Sequence, residues 1–126
     1  MIARLWSAQT SLAQAPAYVE HLKKKVLPIL RNVDGYVNAM LLKREVAETV
    51  EIIVITWWHS LDAVRQFAGE DFEEAVVADE ATALLTAFDE RVRHYELALR
   101  DVPRYMVFSG DKIRGTGMER IIALQG

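Results

Sequence analysis

The sequence contains no cysteine, which removes disulfides, thiolate nucleophiles, CxxC redox pairs and every cysteine-ligated zinc site. Only three histidines are present, His21, His59 and His94, and none stands at ligand spacing from an acidic partner, so no metal centre is expected. Glycine and proline are scarce, at 6 and 3 residues, which excludes collagen-like and low-complexity chains. Gly115-Thr-Gly117 lacks the third glycine of a dinucleotide fingerprint and there is no phosphate-binding loop, so no nucleotide, flavin or haem cofactor is expected. No run approaches the roughly 18 uninterrupted apolar residues of a membrane span. Arg4 interrupts the one apolar stretch at the start, and the expected setting is the cytoplasm, away from membranes. An excess of positive charge is missing too: 15 Lys and Arg stand against 18 Asp and Glu, and the net charge of -3 argues against a nucleic-acid partner.

What is present is the material of one packed domain: 126 residues, of which 52% are hydrophobic. Ile2 to Ala8 alternates as a strand, with Ile2, Arg4 and Trp6 on one side. Ser11-Leu-Ala-Gln14 has the capping-box pattern, and Tyr18, Val19, Leu22, Val26 and Ile29 follow at helical spacing. Pro16 suits the first turn of that helix, and Pro28 should kink or end it near Leu27. Asp34-Gly35 signals a turn into a second strand, Tyr36 to Lys43, with Asn38 in its middle. A polar connection, Arg44 to Glu48, leads to Thr49 to Trp58, the most β-branched run of the chain.

Ser60 is an N-cap for Leu61, Val64, Phe67 and Ala68, and Gly69 a stop. Asp71 to Val77 and Ala81 to Phe88 read as two more helical stretches, and Arg91 to Leu99 as a fourth strand. Residues 1–99 thus form the expected domain. Residues 100–126 are expected to be an extension, a hairpin or arm built on Tyr105 to Phe108 and Ile121 to Leu124.

The order predicts an α+β fold, a ferredoxin-like βαββαβ subunit whose antiparallel sheet carries helices on one face. The third strand is apolar on both sides, with Ile52, Val54 and Trp58 on one and Ile53, Ile55 and Trp57 on the other. A bare sheet face of that kind predicts a homodimer with sheets packed face to face.

Three segments, MIARLWSA, IIVITWWHSLDAVRQFAGEDFEEAVV and LLTAFDERVRHYEL, resemble the antibiotic biosynthesis monooxygenase family of dimeric α+β barrel proteins. The pattern T-W-W-x-S-L-x-A-x-x-x-F-A-G-E-D is its most specific part. The resemblance spans roughly residues 1 to 98. It implies an obligate dimer and, in some members, cofactor-independent oxygenation of electron-rich phenolic or polycyclic substrates. The haem-degrading branch of the same superfamily carries a Trp, an axial His and a first-strand Asn where this chain has Phe67, Val77 and Ser7, which argues against haem chemistry.

Oxygenation without a cofactor requires a pocket that removes a substrate proton, holds the resulting anion and excludes water. His94 is the candidate proton acceptor, against the alternative of a structural or interfacial residue. Arg4 is a candidate for holding the enolate oxygen, against the alternative of an ion pair with Glu96. Asn38 is a candidate donor to the same oxygen. Trp6, Tyr36, Trp57, Trp58, Phe67 and Phe72 are candidate substrate-binding walls for a small hydrophobic or aromatic molecule, the alternative for Trp57 and Trp58 being core or dimer packing. His59 is expected to be exposed, and His21 is read on the charged side of the first helix. The function expected is a cofactor-independent monooxygenase for a small aromatic or polycyclic substrate; the alternative is a non-catalytic small-molecule-binding or stress-associated dimer.

Overall fold

The structure, a computed structural model, describes residues 1–103. The expected pairing of Tyr105 to Phe108 with Ile121 to Leu124 lies outside the described residues. Five strands and four short helices follow in order: β1 (Ile2–Ser11), α1 (Ala15–His21), a π-helical turn (Leu22–Val26), α2 (Leu27–Leu30), β2 (Tyr36–Val46), β3 (Thr49–Trp58), α3 (Leu61–Ala68), α4 (Asp79–Thr82), β4 (Ala87–Phe88) and β5 (Arg93–Glu96).

The sheet is antiparallel, in the order β2-β3-β1-β4, and β5 lies beside β1 as well. β4 pairs Ala8 and Gln9 of β1, while β5 pairs Ile2 to Leu5, so the two short strands together cover one edge of β1. This is the ferredoxin-like α+β arrangement. Period-2 alternation decides the faces. Val50, Ile52, Val54 and Trp58 of β3, with Ile2 and Ala8 of β1, are buried towards the helices, against Tyr18, Leu22, Leu30 and Val64. The opposite face is open, with Met40, Leu42, Ile53 and Tyr95 exposed on it.

Several local expectations change. Ser11 ends β1 and makes no capping box; Gln14 N–H turns back onto the Ser11 hydroxyl and carbonyl, and Pro16 opens α1. Pro28 does not end the helix near Leu27. The chain takes a π turn first, in which Leu27 N–H donates to Leu22 O, and the helix then continues to Leu30. That wider turn accommodates the proline, which lacks an N–H and would crowd the carbonyl four residues back in a regular α-helix.

β2 extends to Val46, leaving Ala47 and Glu48 alone in the hairpin turn, with Ala47 at φ 57°. Ser60 caps α3 as expected, its hydroxyl accepting from Ala63 N–H at 3.2 Å, and Gly69 ends it at φ 91°. Asp71 to Val77 is not helical but a strap, which opens with a turn closed by Glu74 N–H on Asp71 O. Glu74 bridges to Arg91, Ala75 N–H donates to Glu90 O, and Val92 N–H donates to Glu73 O. Ala81 to Phe88 is helical only at its start, and Ala87–Phe88 joins the sheet.

Candidate functional site

Between the helix-facing side of the sheet and the layer of α1, α2 and the strap lies a mostly apolar cavity of about 80 Å³. Arg4 and Trp6 of β1, Val54 and Thr56 of β3, Phe67 of α3 and Val76 to Ala78 of the strap form its walls, together with Tyr18 and His21 of α1. The volume holds a few water molecules, and an aromatic ring needs about 150 Å³. A ring-sized ligand therefore requires outward displacement of the strap, where Val76 is already exposed.

Arg4 is the dominant charge. It is only 5% exposed, yet no carboxylate of the described residues lies within 4 Å of it. The expected partner Glu96 pairs instead opposite Ile2 in the sheet. The guanidinium donates to Phe72 O and, at 3.0 Å, to Glu74 O, fastening the strap to the sheet, and it sits 5.7 Å from the centre of the Phe67 ring. Burial without a counter-ion pulls its pKa down from 12.5 to about 10.

His94 stands directly opposite Arg4 in the β1–β5 register, with Nε2 at 3.1 Å from an Arg4 guanidinium nitrogen. Arginine can only donate, so Nε2 accepts, and the imidazole proton resides on Nδ1. Burial first, then the Arg4 charge, lowers the His94 pKa and keeps the ring neutral, with Glu73 opposing. Nδ1 is buried without a hydrogen-bond partner among the described residues, and the Phe72 ring packs edge-on against the imidazole at 5.3 Å. His94 thus lies behind Arg4, its one lone pair already engaged.

The other candidates separate into three places. Trp6 and Phe67 reach the cavity wall. Tyr36 and Trp58 pack beside it in the core: Trp58 is 0% exposed, stacked on Phe67 at 5.5 Å, met edge-on by Tyr36 at 5.5 Å, and donates from Nε1 to Thr56 Oγ1. Asn38 and Trp57 are opposite each other on the open face, away from Arg4 and His94. Asn38 therefore does not join the cluster anticipated for it. A β-bulge between Tyr36 and Asn38 reverses the alternation, so that two residues at strand spacing point to opposite faces.

Two cavity residues escape the sequence reading. His21 is not on a solvated face; its side chain is 7% exposed and Nε2 is buried with no hydrogen-bond partner among the described residues. Nδ1 faces Glu80 Oε2 at 4.0 Å. Tyr18 is buried on the same wall, and burial pushes its phenol up to about 12, so it stays protonated. The spacing does contain the signal: His21 is three residues from Tyr18 and belongs to the stripe that continues through Leu22. Among the described residues no group of three or more acidic or imidazole side chains could hold a metal ion, and no helix is long and apolar enough to cross a membrane.

Comparison with solved structures places this architecture among known proteins. A Bacillus cereus protein assigned to the antibiotic biosynthesis monooxygenases superposes with a TM-score of 0.58 at 14% identity, over 81% of this chain and 97% of that one. The haem degrader MhuD from Mycobacterium tuberculosis, with two haems in its active site, gives 0.53 at 21% identity, over 82% and 100%. The monooxygenase ActVA-Orf6 of Streptomyces coelicolor, in complex with nanaomycin D, gives 0.54 at 16% identity, over 81% and 89%. The fold is therefore that of the antibiotic biosynthesis monooxygenases. No protein-family model and no curated protein matches the sequence.

Proposed function

We propose that the chain is a cofactor-independent monooxygenase for a small aromatic substrate of the anthrone or quinol type, held in the cavity beside Arg4. The observation that carries the reading is a buried guanidinium, with no carboxylate of the described residues beside it, on the wall of an apolar cavity. A buried cation of this kind is offset best by an anion that arrives with the ligand. Arg4 takes the oxyanion, and Trp6 and Phe67 bracket the ring. His94, through Nε2, keeps the guanidinium turned towards the cavity as a positioning residue. The solved neighbours, two assigned as monooxygenases and one as a haem degrader, support oxygen chemistry on this fold.

The reaction balances without a redox group. An activated ring CH2 loses a proton to a base and its anion is held at Arg4. Dioxygen adds at that carbon, and loss of water from the hydroperoxide leaves C=O, so that CH2 and O2 become C=O and H2O. At Phe67 and Val77, where the haem-degrading branch carries its Trp and axial His, there is no ligand atom for iron, and no step is drawn through haem. We further propose that the protein is a cytoplasmic homodimer joined through the open sheet face, with Asn38 and Trp57 in the interface, and that residues 100–126 are an extension to the domain.

The small cavity volume favours one other reading, a non-catalytic binding dimer. Oxygen uptake with 1,8-dihydroxyanthrone decides between them. The oxygenase consumes one O2 per quinone formed, and uptake equal to that of buffer alone refutes it.

A further inference from the structure

We propose that His21 is the proton acceptor of the cavity, and that the ligand is a phenol, quinol or enol whose acidic proton meets His21 Nε2 while its oxygen charge is shared with Arg4. This deepens the oxygenase reading and rests on it. The geometry begins at the end of α1. His21 is its last residue, immediately before the π turn of Leu22–Val26, and π turns inside helices redirect side chains at functional sites.

The imidazole is more than nine-tenths buried, lines the same cavity as Arg4, and leaves Nε2 without a partner among the described residues. A buried nitrogen left unpaired is costly, and a ligand hydroxyl recovers that cost. The charged and titratable groups facing the ring are Glu80 from α4, at 4.0 Å from Nδ1, Tyr18 from its own helix, with ring centres 6.1 Å apart, and Arg4 from β1 across the cavity. Glu80 favours the proton on Nδ1, which leaves the Nε2 lone pair for the ligand. Protonated Tyr18 can donate to the anion. Within the cavity, His94 cannot take this role, because its Nε2 lone pair is spent on Arg4.

In the step itself, the ligand O–H bond breaks, an N–H bond forms at His21 Nε2, and the electron pair stays on oxygen as a phenolate or enolate. The clearest probe is 4-nitrophenol, a single ring whose phenolate absorbs separately from the phenol. Titrated into the full chain below the pH at which the free phenol ionises, it should bind and show the phenolate band. His21→Gln, which keeps volume and a hydrogen bond, should lower the ratio of bound phenolate to phenol about 10-fold or more while the Kd changes by less than about 3-fold.

Glu80→Gln, a change at an exposed carboxylate that leaves the fold undisturbed, should raise the pH midpoint of bound-probe ionisation. A wild-type chain that does not bind the probe, or binds it without the phenolate band, overturns the proposal. So does an unchanged spectrum and pH profile in His21→Gln. Oxygen uptake with 1,8-dihydroxyanthrone separates the two readings. Uptake that persists at full rate in His21→Gln overturns the His21 assignment alone. Ionisation of the probe by wild type without any uptake overturns the oxygenase reading alone.

Discussion

Replacing Arg4 by Met should leave the protein nearly as stable as before while removing its affinity for anionic ligands. The lowered pKa, from 12.5 to about 10, sets the cost of holding the charge in the fold. At about 1.4 kcal/mol per unit, that cost is about 3 kcal/mol at neutral pH. Against it stand two charge-assisted hydrogen bonds, to Phe72 O and Glu74 O, worth about 1.5–3 kcal/mol each, and a cation–π contact of about 0.5–1 kcal/mol. At the lower end of these ranges the terms nearly cancel, and Met fills the stem volume. The urea midpoint should therefore move by no more than the equivalent of about 2 kcal/mol, with an unchanged m value. Binding of 4-nitrophenolate should weaken by at least about 10-fold.

The pH dependence adds an independent check. Below the folded pKa both the native and unfolded chains hold the Arg4 proton and the cost is fully present; above it the native chain sheds the proton first, so stability rises with pH. Wild type should thus gain about 1 kcal/mol on Arg4→Met between about pH 9 and about pH 11. The shared losses from Tyr18, whose raised pKa makes stability fall over the same range, drop out of the difference. A loss above about 4 kcal/mol with unchanged ligand affinity would show that Arg4 is a structural clamp, and would refute the reasoning.

Two other outcomes follow from packing. Gly35 has φ 89°, and a Cβ there would lie 2.5 Å from Ala63 Cβ, so Gly35→Ala should cost about 2 kcal/mol or more in thermal or urea unfolding, and adding Ala63→Gly should restore only the steric part. Light scattering at low micromolar concentration should give twice the chain mass, and Leu42→Lys, placed where a 51% exposed leucine stands on the open face, should give the monomer; a monomeric wild type removes the dimer proposal.

The elements legible in the sequence are those whose determinants are local. The β-branched run of β3, the Ser60 cap and the Gly69 stop carry their own instructions. The strap is different. Phe72 and Val76 sit four residues apart and imitate a helix, but Arg4 and Arg91 pin that segment from far along the chain, Arg91 through Asp71 and Glu73. Asn38 was placed beside Arg4 by counting in twos, and a single bulge defeats such a count. His21 was obscured by Lys23 to Lys25, whose charge dominates the segment although the π turn makes helical spacing unreliable there. Arg4 itself was legible as a candidate; that it would be buried without its carboxylate was not, because this depends on Glu96 falling opposite Ile2.

The π turn also gives the site an unusual kind of sensitivity. A turn closed by Leu27 N–H on Leu22 O contains one residue more than an α-helical turn. Winding the same number of residues as a regular α-helix, without the π turn, would rotate α1 by about 100° relative to α2. Tyr18 and His21 would turn together away from the Arg4 wall, although neither had been altered. Substitutions among Lys23, Lys24 and Lys25 that keep the turn closed by Leu27 N–H on Leu22 O should accordingly be neutral, whereas a change that converts this turn to α-winding at constant length should displace both side chains at once.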